Sequence, residues 1–96
     1  MEGGYHGSYE LAEVSLVPMP NERGNLSAPH SLAVDNSFPD SVLRDTVICP
    51  YNQPDLAGAL IDKHANNLAA VIVEPILGSM GMIPATQDFL TILRDK

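Results

Sequence analysis

At 96 residues the chain is one domain at most, or part of one. A formal net charge of −7, with five Lys and Arg residues scattered singly, offers no basic patch to a nucleic acid or an anionic membrane. The single cysteine, Cys49, excludes an internal disulfide and points to a reducing, cytoplasmic setting.

Residues 1–10 are glycine-rich around Tyr5-His6-Gly7 and read as a loop that lets backbones approach closely. The start has neither the basic cluster nor the apolar run of a signal peptide. Leu11–Val17 mixes small apolar residues and suits a short helix or strand. From Pro18 to Pro39 the chain is rich in Pro, Ser, Gly and Asn without a sustained period, which predicts a long irregular excursion. Within it Asn25-Leu26-Ser27 matches the glycosylation triplet, but nothing else in the sequence looks secreted.

Ser41–Asp45 predicts a helical turn, and Thr46–Cys49 a short strand stopped by Pro50. Asn52 then reads as a helix N-cap, with Asp55 completing a capping-box-like pair and Pro54 in the first turn. Leu56, Leu60, Ile61 and His64 recur at helical spacing, so an amphipathic helix is expected from Gln53 to about Ala65. Leu68–Val73 is a continuous apolar run, the pattern of a strand covered on both faces of a parallel sheet. It is far shorter than the ~20 residues that span a bilayer. Glu74-Pro75 and a glycine-flanked loop follow. A second helix is expected from Ala85 or Thr86, with Phe89, Leu90 and Leu93 on one side.

The order of strand, helix, buried strand, loop and helix is α/β, with residues 1–96 forming one incomplete unit and no internal boundary. The charged share is 18%, below a typical ~25%, which suits a piece covered on more than one side. A lone central strand needs neighbours on both sides. Few apolar residues are available to offset ordering the excursion, at roughly 1–2 kcal/mol per residue for the backbone.

No pair among His30, His64 and Cys49 has metal-ligand spacing. No Ser-His-Asp arrangement and no glycine-rich phosphate loop before a helix can be argued. Glu74 is the informative residue: an unpartnered charge at a strand end is costly to bury. It either reaches solvent or works in the crevice where α/β sheets place ligands.

Three blocks, "EGGYHGSYE" (Glu2–Glu10), "PDSVLRDTVICPYNQPDL" (Pro39–Leu56) and "AAVIVEPILGSMGMIPATQDFLTILRD" (Ala69–Asp95), resemble successive blocks of class III pyridoxal-phosphate aminotransferases, nearest their aminomutase branch. The resemblance covers nearly the whole chain in order and is loosest from Asn21 to Asn36. It implies the middle of a fold type I large domain, built on a mostly parallel sheet with flanking helices. It also implies a homodimeric enzyme exchanging or moving an amino group on a small-molecule donor or acceptor.

By the same resemblance, Tyr5 is the aromatic that stacks on pyridoxal 5'-phosphate, with Gly4 and Gly7 leaving room for the ring. His6 either contacts that site or makes a structural hydrogen bond, and Glu74 lies beside the pocket. Ser79 stands where aminomutases carry an asparagine near the ring oxygen. The family's phosphate-binding loop, the aspartate that pairs with the pyridine nitrogen and the cofactor-binding lysine have no counterpart here. Lys63 and Lys96 both lie in other contexts, so no catalytic residue is expected and the chain alone should be inactive. The competing expectation is a non-catalytic α/β remnant that keeps only an interaction surface.

Overall fold

Three helices and two short hairpins make up the regular structure in the computed structural model, which describes residues 1–96. A single 3-10 turn, Glu10–Ala12, opens the chain, in place of the longer element the Leu11–Val17 composition suggested.

The supposed irregular excursion contains an antiparallel ladder between β1 (Gly24–Asn25) and β2 (Ala28–Pro29), with Gly24 opposite Pro29 and Asn25 opposite Ala28. The Asn25 side-chain oxygen accepts from the Ser27 amide at 2.9 Å and from the Ser27 hydroxyl at 2.8 Å. The triplet that looked like a glycosylation signal is thus an Asx turn closing a hairpin. The hairpin is tied inward by Arg23, whose guanidinium forms a two-point ion pair with the buried Glu2 carboxylate.

Helix α1 covers Asp40–Arg44. Helix α2, Pro54–His64, has Pro at its first position, Asp55 in its first turn, and Lys63 and His64 in its last, charges that suit the helix dipole. Its start differs from expectation. Asn52 has φ 57°, a left-handed conformation that Asn tolerates but that a capping residue does not adopt. Gln53 takes the cap position without a side-chain bond. The Asn52 side chain instead reaches across the molecule, donating to the Pro84 carbonyl at 3.0 Å and accepting from the Thr86 amide at 2.9 Å.

Strands β3 (Ile76–Leu77) and β4 (Ile83–Pro84) form the second antiparallel hairpin around Gly78–Met82. Helix α3, Gln87–Asp95, is capped by Thr86, whose hydroxyl accepts from the Phe89 amide at 3.3 Å. Helices α2 and α3 pack together through Gly58, where an added Cβ would lie 3.5 Å from Ile92 Cγ2. Phe89 is fully buried and meets Tyr51 edge-on, ring centroids 5.3 Å apart. Burying a ring of that size contributes about 1.5–3 kcal/mol, and the aromatic pair about 0.5–1.5 kcal/mol more.

Within residues 1–96 the two segments expected to be parallel strands do not pair. Thr46–Cys49 and Leu68–Val73 run without turn or bend, but the only ladders are the two hairpins. Leu68–Val73 was expected to be covered on both faces, yet Val71 is 41% and Ile72 54% exposed. An apolar run is buried only by what lies against it, and no ladder within the chain pairs this one. The amino terminus bonds to both segments: the Met1 amine donates to the Ile72 carbonyl at 3.4 Å, and the Glu2 amide to the Cys49 carbonyl at 3.0 Å. The remaining core is small, with Ala12, Val14, Ile48, Ala57, Leu60, Leu77 and Phe89 as its buried apolar members.

Candidate functional site

The glycine-rich amino-terminal segment enters the molecule rather than lying over it. Glu2, Gly3 and Gly4 are buried, and the Gly3 amide donates to the Ser15 carbonyl at 2.9 Å. Gly3 has φ 73°, and a Cβ there would meet Met80 Cγ at 2.9 Å, so both backbone and space require glycine. The segment therefore delivers Tyr5 against the turn that follows Leu68–Val73.

There Glu74 joins the two. One carboxylate oxygen accepts from the Tyr5 amide at 2.6 Å, and the other from the Gly78 amide at 3.2 Å. Both oxygens are thus committed to backbone, one on each side of the corner. A carboxylate holding two N–H donors is a strong bracket, because hydrogen bonds to ionised acceptors are about twice as strong as neutral ones. Tyr51 fixes the corner from below: its hydroxyl donates to the Glu74 carbonyl at 2.9 Å, with the Pro75 carbonyl at 3.2 Å. Burial, and then the Glu74 charge, raise the Tyr51 pKa and keep that hydroxyl a donor.

The expected site residues separate into two groups. Tyr5, Gly7, Glu74 and Ser79 surround the open side of the corner. The Tyr5 ring is 51% exposed, its hydroxyl 3.3 Å from Ser8 Oγ. Gly7 has φ 112° and lies close under the Tyr9 ring. Ser79 is exposed in the β3–β4 loop and makes no hydrogen bond. His6 faces the other way. Its ring folds back over Gly4, where an added Cβ would lie 2.7 Å from Nε2, and that nitrogen is buried without a partner. The structural hydrogen bond expected as one alternative is not made: the His6 ring bonds no other group of the chain. Burial, and then the nearby Met1 ammonium, lower its pKa below the ordinary 6.5, against a smaller opposing effect of Glu74.

The Tyr5 ring is thus half exposed, while the backbone that carries it is held to the β3–β4 turn through Glu74. The two lysines are elsewhere: Lys96 Nζ pairs with Asp62 at 2.6 Å between α3 and α2, and Lys63 is exposed on α2. No three His, Cys, Asp or Glu side chains are grouped to hold a metal ion, and no helix is long and apolar enough to cross a membrane. Sequence reasoning missed Tyr51 and the cross-chain role of Asn52. The available signal was the Tyr-Asn pair directly before a Pro-initiated helix, where Asn suits a left-handed turn as well as a cap.

The whole chain is similar to curated glutamate-1-semialdehyde 2,1-aminomutases. It is 34% identical to the one from Methanopyrus kandleri and 36% to the one from Clostridium novyi, each over 98% of this chain and 20% of the relative. Among solved structures, an omega-transaminase from Sphaerobacter thermophilus superposes with a TM-score of 0.88 at 37% identity, covering 98% of this chain and 21% of that one. A transaminase solved with PLP bound gives 0.76 at 30% identity, over 99% of this chain and 20% of its own. No protein-family model matches. The chain thus spans about a fifth of the curated relatives it matches and takes the shape of the corresponding transaminase segment.

Proposed function

We propose that these residues are the cofactor-facing segment of a pyridoxal-phosphate-dependent aminotransferase or aminomutase of class III. The complete protein would be a cytoplasmic homodimer acting on a small amino donor or acceptor. In it, Thr46–Cys49 and Leu68–Val73 are strands of a mostly parallel sheet, and the cofactor-binding lysine comes from outside residues 1–96. The observation that carries this reading is the Glu74 carboxylate joining the amides of Tyr5 and Gly78 beneath a half-exposed aromatic ring.

Pyridoxal phosphate, when bound, supplies an electron sink for charge developing at the amino-bearing carbon. This chain's share is binding and orientation. Tyr5 offers the stacking face, and Gly7, at φ 112°, supplies the left-handed turn beside it that other residues rarely adopt. Glu74 fixes the Tyr5 backbone and the β3–β4 turn relative to each other, making it a positioning residue. Ser79, on that turn, would offer the cofactor a hydroxyl where aminomutases carry an asparagine. His6, turned inward, supports the Gly4 backbone under the platform.

The test is a chimera in which this chain replaces the matching fifth of the Sphaerobacter thermophilus omega-transaminase. The chimera should retain pyridoxal phosphate through gel filtration. Tyr5→Phe should keep it, since the stacking face survives, whereas Tyr5→Ala should release it at least tenfold faster, equivalent to about 1.4 kcal/mol. Equal retention in all three would remove Tyr5 from the site.

A further inference from the structure

The β3–β4 turn meets the amino-terminal segment through a polar contact and an apolar one. The polar contact is Glu74, which holds the Tyr5 and Gly78 amides. The apolar contact lies at Gly3. A Cβ built there would stand 2.9 Å from Met80 Cγ, 3.6 Å from Met80 Sδ and 3.8 Å from Leu77 Cδ2. The thioether and the buried Leu77 therefore fill the space that a side chain at Gly3 would take. Met is suited to such a place, because its unbranched chain adapts to irregular gaps. Gly3 is buried, yet Met80 is 44% exposed, so the residue packs with one side and meets solvent with the other.

The backbone under Met80 has no donor to spare. The Gly3, Gly4 and Tyr5 amides are given to the Ser15 carbonyl, the Met1 carbonyl and the Glu74 carboxylate. An oxygen placed on the Met80 sulfur would meet committed N–H groups and the apolar Leu77. Burying it there without a partner is costly, and water is within reach of the same side chain. The oxidised side chain would turn outward and leave Gly3 uncovered.

We propose that Met80 is a positioning residue, the apolar half of the clamp on the Tyr5 segment, and that oxidation to the sulfoxide releases that half. In the step a peroxide O–O bond breaks and an S–O bond forms. One oxygen atom passes to the thioether sulfur, which gives up two electrons, and hydrogen peroxide is reduced to water. The Glu74 carboxylate offers no such sulfur, so the polar half survives the oxidant. The loosening of Gly3 and Tyr5 stands on these contacts alone. Its consequence for a cofactor rests on the function proposed above.

Amide hydrogen exchange on the 96-residue chain reads the loosening, and pyridoxal phosphate release from the transaminase chimera reads the consequence. Each protein is treated with hydrogen peroxide, sulfoxide at Met80 is measured by peptide mass spectrometry, and each variant is compared with its own untreated sample. Oxidation should speed exchange at Gly3 and Tyr5 about fivefold or more, with the α2 amides unchanged. Release from the chimera should quicken by a similar factor. Met80→Leu should abolish the exchange response, Met82→Leu should keep it, and methionine sulfoxide reductases should reverse it. Met80→Ala should speed exchange at Gly3 without any oxidant. A response that persists in Met80→Leu, no sulfoxide at Met80, or sulfoxide with exchange unchanged would overturn the proposal. If neither variant folds, the reductases decide: exchange that stays fast once the sulfoxide is removed overturns it. Faster exchange with unchanged release supports the clamp and counts against the cofactor reading alone.

Discussion

The two faces of this molecule satisfy their backbone in opposite ways. At the Tyr5 corner every connection is internal. Glu74 takes the Tyr5 and Gly78 amides, Tyr51 donates to the Glu74 carbonyl, and Asn52 ties β4 to the start of α3. At the groove between Thr46–Cys49 and Leu68–Val73, both apolar segments leave most of their N–H and C=O groups unused. The difference shows that order in a piece of an α/β domain follows who supplies the partner. Side-chain brackets close the corner from within, whereas no ladder within the chain pairs the groove's walls.

The contrast breaks first at Phe89, the fully buried ring under Tyr51. Phe89→Ala should cost about 3–5 kcal/mol in denaturant unfolding. It should speed amide exchange at Tyr5 and Gly78 while leaving the already open Val71 unchanged. Equal acceleration on both faces would mean that they form one cooperative unit.

Cys49, on the groove wall, sharpens the contrast chemically. Burial pushes its thiol up to about 11, since the Met1 ammonium only partly offsets desolvation. The thiolate is the reactive form, so at pH 8 alkylation by iodoacetamide should run roughly a hundredfold slower than for an ordinary thiol. A rate matching that of a free peptide cysteine would show water reaching that end of the groove.

His6 lies between the two faces and gives the smallest effect. Its folded-state pKa is depressed, so its favourable contribution is present above pH 6.5 and declines as pH falls below that value. The denaturation midpoint of the wild-type chain should drop more between pH 7.5 and 5.5 than that of His6→Gln. An equal drop in both would show that His6 is as free to take a proton folded as unfolded.

Much of this was legible in the sequence, for local reasons. Pro54, the Leu56–His64 spacing and the Thr86 cap specify α2 and α3 through contacts within a turn or two. The Val71–Glu74 stretch marked a carboxylate at the end of an apolar run as the residue to watch, and Glu74 there accepts from two backbone amides. What stayed hidden depends on distant partners. Glu74 meets the amide of Tyr5, 69 residues away, and a backbone N–H leaves no mark on residue identity. The 24–29 hairpin was hidden because Asn25 and the long-range Arg23–Glu2 pair hold it, not alternating apolar residues. Asn52 misled because the same residue type serves helix caps and left-handed turns, and φ 57° selects the second.

The central claim is that Glu74 acts as a bracket, holding the aromatic platform to the turn opposite. The most direct measurement is the rate of pyridoxal phosphate release from the transaminase chimera carrying Glu74→Gln. Gln preserves the shape but sets an NH2 donor against one of the two backbone donors, leaving that amide unpaired at a cost of about 1–3 kcal/mol. Release should therefore quicken by roughly tenfold or more, a change of at least ~1.4 kcal/mol. A release rate equal to that of the unmodified chimera would contradict the account and leave Glu74 as a strand-end carboxylate with no hold on the site.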